Sequence, residues 1–289
     1  MEFILHILEH AFTDTIRLAP FLFLTYLAME YLENKAGEKT VELLLNTGKK
    51  GPVLGGILGV LPQCGFSAAA AGLYSGGVIT VGTMLAVFLS TSDEMLPIFI
   101  SERAPLSDIL WILGAKIVIG IVAGICVDWA VRFLNKGNQK GLHIHDICER
   151  ENCHCEEGSI LKSALIHSVQ ILVFLFLVAV VLEGVVEWVG MEKLVTAVSR
   201  YPVLSVFVSG LIGLIPNCAA SVTITTLYLE GVLSAGSMMA GLLSCAGIGL
   251  LVLFRTNHGV KKNLMITGAL YGISVASGLL TEVLFRIFG

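Results

Sequence analysis

The sequence predicts an all-α polytopic membrane protein made of two homologous halves, each with a broken helical hairpin, and three observations carry that prediction. First, 55% of the 289 residues are hydrophobic and 14% are charged, with a mean hydropathy of +0.86. A soluble domain is about one quarter charged, so this composition points to the bilayer. Second, apolar runs of the length that crosses a hydrocarbon core recur, at 15–32, 109–134, 160–186 and 264–288. They lack the alternation of outer-membrane barrel strands. Third, the chain matches itself at an offset of 154 residues, where 12 of 30 positions are identical between 62–91 and 216–245.

The repeat pairs Pro62 with Pro216, Cys64 with Cys218, Ser67 with Ser221, Tyr74 with Tyr228 and Gly77 with Gly231. Apolar bias does not align prolines, cysteines and tyrosines. The same offset pairs Asp128 with Glu282 and Arg132 with Arg286. Segments are predicted at 14–33, 37–48, 51–75, 78–100 and 108–134 in the first half, and at 161–187, 191–200, 203–229, 232–254 and 263–287 in the second. The domain division is 1–134, a linker at 135–160, and 161–289. The opening MEFILHILEH has neither the basic flank nor the cleavage site of a secretory signal, so it is expected to stay attached.

Proline breaks or kinks a helix, because it lacks an amide hydrogen and crowds the preceding turn. In hydrocarbon the freed backbone groups must face protein or a wet cavity. Pro62, Gln63, Cys64 and Ser67, with Pro216, Asn217, Cys218 and Ser221, are therefore expected to line a substrate pathway. Paired broken segments in two halves are a recurring plan of secondary transporters. The plainer alternative is a pair of structural kinks with small buried cysteines.

Charge placement bears on whether the motif crosses or turns back. If 51–75 crosses, Lys and Arg divide 10 against 7 between the two sides. If it re-enters as a hairpin, the split is 12 against 5 with Lys116 inside the membrane, and the halves become inverted. The positive-inside rule prefers the hairpin.

Asp93 and Glu94 follow an apolar stretch and precede Pro97. Carboxylates at membrane depth need a proton, a cation or a basic partner, and Lys116 is the candidate partner. These three form the expected coupling or cation-binding set; a polar interhelical loop is the alternative. The linker GLHIHDICERENCHCEEG places His143, His145, Cys148, Cys153, His154 and Cys155 within 13 residues. Imidazole and thiolate suit zinc, copper(I) or trivalent arsenic, although the spacing matches no closed zinc finger. The charge rule puts this cluster in the cytoplasm, where thiols stay reduced. Cys126 and Cys245 read as packing residues.

The duplicated Pro-Gln-Cys-Gly and Pro-Asn-Cys-Ala elements, the Ser-Thr-Ser-Asp-Glu-Met-Leu-Pro run and the His/Cys linker resemble the ten-helix heavy-metal exporter family. The resemblance spans essentially the whole chain. Members are labelled arsenic efflux proteins, and some manganese transporters. Counting each hairpin as two short helices gives five per half, the family's number. The resemblance implies export of a toxic metal or metalloid across the bacterial inner membrane.

The leading expectation is thus a non-enzymatic, multi-pass secondary transporter that exports an arsenical-type species or heavy metal from the cytoplasm. No Walker motif accompanies it. A manganese carrier would use Asp93 and Glu94, since manganese prefers oxygen ligands. An anion or organosulfur permease would use half-helix N-termini. A redox enzyme would pair Cys64 with Cys218, but no CxxC or cofactor motif supports it. No resident cofactor is expected and no nucleic-acid partner. The expected partners are the lipid bilayer and the transported ion, with a homo-oligomer left open.

Overall fold

The computed structural model describes residues 50–60, 64–92, 95–134, 201–257 and 259–288, with scattered positions between 12 and 27 and between 165 and 181. Among the described residues there is no strand. The first half contributes α1 (Gly51–Leu58), α2 (Cys64–Ser75), α3 (Val81–Ser90), α4 (Met95–Ser101) and α5 (Leu106–Leu134). The second contributes α6 (Pro202–Gly213), α7 (Cys218–Leu229), α8 (Ala235–Ser244), α9 (Gly249–Thr256) and α10 (Val260–Phe288). The starts of α2 to α5 each recur 154 residues later in α7 to α10, so the sequence repeat is a repeat of helices.

Local chemistry explains much of the duplicated pattern. α2 ends where Gly77, at φ 75°, donates its N–H to Tyr74 O at 3.0 Å while Val78 N–H reaches Leu73 O at 2.9 Å. Gly231, at φ 74°, repeats this with Tyr228 O at 3.0 Å, and Val232 with Leu227 O at 2.9 Å. This is the double hydrogen bond of a Schellman cap, which needs a left-handed residue and so selects glycine. The recurring Leu-Tyr-x-x-Gly is therefore a helix stop. Thr80 and Ser234 then cap α3 and α8, accepting from Thr83 N at 3.1 Å and Ser237 N at 3.2 Å.

A carboxylate from the long helix completes the first of these caps. Asp128 on α5, 7% exposed, accepts from Gly82 N at 2.8 Å and from Thr80 Oγ1 at 2.7 Å. Its charge also opposes the positive end of the α3 dipole. Glu282 of α10 takes the equivalent place, since a Cβ on Gly236 would lie 2.7 Å from its Oε2. Asp128→Ala is expected to cost roughly 2 kcal/mol, the sum of a lost cap and a buried donor left unpaired. Thermal unfolding in detergent checks this, and a melting temperature equal to wild type would mean that the cap carries no stability.

The spans at 78–100 and 232–254, expected as continuous segments, are each interrupted. α3 stops at Ser90 and α4 starts at Met95; α8 stops at Ser244 and α9 starts at Gly249. The first stop follows from hydroxyl groups that turn back on the backbone. Ser90 Oγ donates to Ala86 O at 2.8 Å, Thr91 Oγ1 to Val87 O at 2.7 Å and Ser92 Oγ to Ser90 O at 3.1 Å. Such bonds compete with continuation of the helix. At the second stop Gly247 has φ 53°.

The interrupted spans are the centre of the molecule. In an apolar window the α8–α9 span is 89% buried, against 33% for α10 and 33% for α5. On α5 the residues Val118, Val122, Ile125, Trp129 and Phe133 form an exposed apolar stripe at helical spacing. With no water-facing role for such a stripe, it is the lipid-facing surface of a membrane span. Four spans are apolar and long enough to cross a bilayer among the described residues. Glycine brings the helices into contact: a Cβ on Gly120 would lie 2.9 Å from Ala86 O, and one on Gly278 2.6 Å from Ala240 Cβ.

Candidate functional site

The motif serines lie at the helix breaks of the opposite half. Ser67, one turn into α2 and fully buried, packs on the start of α9, where a Cβ on Gly249 would sit 2.8 Å from Ser67 Cβ and 2.9 Å from Phe88 Cε1. Ser221, one turn into α7 and 5% exposed, faces the first break. There it lines a small cavity with Thr91, Ser92, Met95, Lys116, Leu242 and Cys245. The cavity has room for roughly one water, about 10 Å³.

Lys116 dominates this cavity electrostatically. It lies ten residues into α5 and is 1% exposed. Its Nζ donates to Thr91 O, the residue that caps the C-terminus of α3, and to Leu242 O, in the last turn of α8, at 3.1 Å. One side chain of the first half thus joins the C-terminal ends of two helices, one from each half. Both ends carry the negative pole of a helix dipole, which favours an ammonium there.

Further contacts lock the halves together at their rims. Ser75 at the end of α2 hydrogen-bonds Thr256 at the end of α9, at 2.7 Å. Lys262 of α10 lies over the Tyr74 ring, its Nζ 5.3 Å from the centroid. The repeat partner of Tyr74, Tyr228 on α7, stacks on Phe99 of α4 with centroids 6.1 Å apart.

Several predicted residues are located by this geometry. Cys64 and Cys218 start α2 and α7, one turn before Ser67 and Ser221. Pro216 and Asn217 form the bend that precedes α7, where Asn217 N–H reaches Ile215 O at 2.7 Å. Pro62, Gln63, Asp93, Glu94 and the linker ligands His143, His145, Cys148, Cys153, His154 and Cys155 lie outside the described residues. Among the described residues no cluster of His, Cys, Asp and Glu has metal-ligand geometry.

Of the two cysteines read as packing residues, one is exposed and the other is buried as expected. Cys126 is exposed on α5, whereas Cys245 is buried and lines the cavity. Sequence reasoning also missed Thr91 and Leu242, whose contributions are backbone carbonyls and so independent of side-chain type. One signal was available: the 154-residue offset that pairs the motifs also pairs Cys245 with Thr91, each immediately after a helix stop.

Apolar spans, interrupted central helices and small-residue packing define a polytopic helical membrane protein. Residues 1–193 match the model of a family described as "Putative, 10TM heavy-metal exporter", and the chain belongs to that family. No curated protein and no solved structure matches the chain.

Proposed function

We propose that the chain is a secondary transporter that exports a heavy metal or metalloid of arsenical type from the cytoplasm, across the inner membrane, through a pathway between two inverted halves. The observation that carries this reading is the crossed placement of the motifs, each buried serine lying against the helix break of the other half. A pathway built that way touches both halves at once, as alternating access between repeats requires.

Inversion is supported by the rim contacts. The Gly77 turn leads from α2 into α3, so the Ser75–Thr256 bond sets the end of α9 beside the start of α3. The Phe99–Tyr228 stack sets the end of α4 beside the turn from α7 into α8. With each interrupted span crossing as a unit, α3–α4 and α8–α9 run in opposite directions. A re-entrant α1–α2 hairpin is supported too. A Cβ on Gly51 would run into Thr83 at the start of α3, and one on Gly59 would lie 2.7 Å from Val87 O near its end. α1 therefore runs beside α3 in the same sense, and α2 returns to the level at which α1 began. This arrangement gathers Lys50, Arg132, Arg255, Lys261 and Lys262 on one side, the side the positive-inside rule makes cytoplasmic.

In this reading residues 1–134 and 161–289 are the two repeats, and the linker at 135–160 captures ions for the pathway. Cys64, Cys218, Gln63 and Asn217 bind a thiophilic cargo, because thiolate sulfur selects soft ions. Asp93 or Glu94 carries the coupling proton.

The test is flux into inside-out vesicles bathed in trivalent arsenic, a methylated arsenical, zinc, cadmium or manganese. Accumulation of a soft species that needs no ATP and collapses with a protonophore is the expected result. Strict ATP dependence would overturn the secondary mechanism. Accumulation of manganese alone would move the cargo to oxygen ligands, and no accumulation over vesicles lacking the protein would overturn export.

A further inference from the structure

We propose that Thr91 O and Leu242 O form a cation site in which the Lys116 ammonium is the resident occupant, and that a transported cation takes this site by displacing it. The proposal goes beyond the export reading by assigning the class of cargo. The site takes a dehydrated cation, so it serves the metal cargoes of that reading, while a neutral arsenical would rest on the motif cysteines alone. Its central claim, that a small ion can replace the ammonium, does not depend on export.

Three observations carry it. Lys116 is among the largest fully buried side chains, in a span whose surroundings are apolar. A buried ammonium is costly in such a place unless its donors are matched, so its retention points to a role. Second, two of its acceptors are carbonyls freed by helix ends. Continued helices would bond Thr91 O and Leu242 O to amides one turn further on, yet α3 stops before Thr91. Ala246 N, the amide due to Leu242 O, instead pairs with Ser244 O at 2.9 Å. Carbonyls of half-helix C-termini are what coordinate ions in broken-helix transporters. Third, the remaining lining includes ligand atoms beside the apolar residues Met95 and Leu242. Ser92 and Ser221 bring hydroxyl oxygens and Cys245 a thiol, in a space for about one water. Such a wall accommodates a desolvated ion and serves a soft cation through sulfur.

The chemistry of exchange is simple. An ammonium and a dehydrated metal cation compete for the same two carbonyl lone pairs, so only one occupies them. With cargo gone, the side chain of Lys116 returns and neutralises the two dipole ends, so the empty carrier keeps a counter-charge. A purely structural staple would hold α3 to α8 in the same way, but no free ion would stand in for it.

The experiment melts purified wild type and Lys116→Ala in detergent, in chloride salts of ammonium, methylammonium, sodium, potassium and choline at equal ionic strength. In choline, Lys116→Ala is expected to melt about 10 °C below wild type, the size of a lost buried charge contact in a chain this large. Ammonium or methylammonium should restore at least half of that deficit saturably, while wild type responds equally to all five salts. If Lys116→Ala gains no more from any small cation than from choline, the site does not exist. An alanine variant that cannot be recovered folded in any of these salts also counts against it, because no ion then replaces the ammonium. Lys116→Arg is the second arm. With its charge in place it should be indifferent to the salt, as wild type is, and a small-cation response like that of the alanine variant would overturn the proposal. The melting arms decide the cation site even if vesicles move none of the metals, so the two readings fail separately.

Discussion

Gly82→Leu will remove most of the stability of the α3–α5 pair. Gly82 lies in the first turn of α3, where an added Cβ would run into Gly124 O and the Asp128 carboxylate. A Cβ on Gly124 would meet the same obstacle in reverse, 2.5 Å from Gly82 O and 3.0 Å from both Ala86 Cβ and Pro52 Cβ. The nearest obstacle is backbone and cannot yield as a side-chain end can. A leucine there must separate the helices or break the Asp128 cap, and either route costs about 3–5 kcal/mol. In a chain of this length that lowers the melting temperature by about 10 °C. Gly114→Ala serves as the control, since nothing lies within 4 Å of a Cβ at that position. Equal melting of Gly82→Leu and wild type would mean that α3 and α5 do not touch through this glycine.

The second large effect concerns transport. Cys64→Ser with Cys218→Ser is expected to reduce flux of trivalent arsenic or cadmium about 100-fold, because a hydroxyl is a poor ligand for soft ions and sulfur supplies most of their binding. The melting temperature should stay close to wild type, since serine and cysteine are similar in shape. Flux in inside-out vesicles measures the first quantity and thermal unfolding the second. Cys245→Ser, whose thiol reaches the cavity beside Ser221 and Lys116, should cost about tenfold on its own by the same ligand argument. Soft-metal flux that survives the double replacement would remove the motif cysteines from the pathway.

Much of the architecture was legible because the repeat is carried by residues with strong local roles. Gly77 and Gly231 recur because each closes a Schellman turn, and Asp128 and Glu282 recur because each stands at the first turn of a central helix. The first requirement is local and the second lies within one half, so both survive duplication and can be read off aligned residues. The interruptions that begin at Thr91 and Cys245 were harder to see. One is written in hydroxyls that bond to the preceding turn, the other in a left-handed glycine, so the two stops share a position and a Leu-Ser end but not the device that follows. The Lys116 site was hidden for a different reason. Half of it is carbonyl oxygen, which every residue possesses, and its partners lie 25 and 126 residues away. The crossed placement of Ser67 and Ser221 is likewise a tertiary fact. The repeat offered both serines as site residues, but their partners come from the other half.

The bond between Ser75 and Thr256 joins residues separated by 181 positions. Chain emerges from a ribosome at roughly 5–20 residues per second, so the end of α2 waits about 10–40 s for its partner to be made. During that interval the buried serine and alanine face of α2 has nothing from the second half to cover it, and it stands bare to lipid or to the insertion machinery. Nascent chains truncated before α9 should therefore be substrates for membrane quality-control proteases, and chains that end after α10 should not.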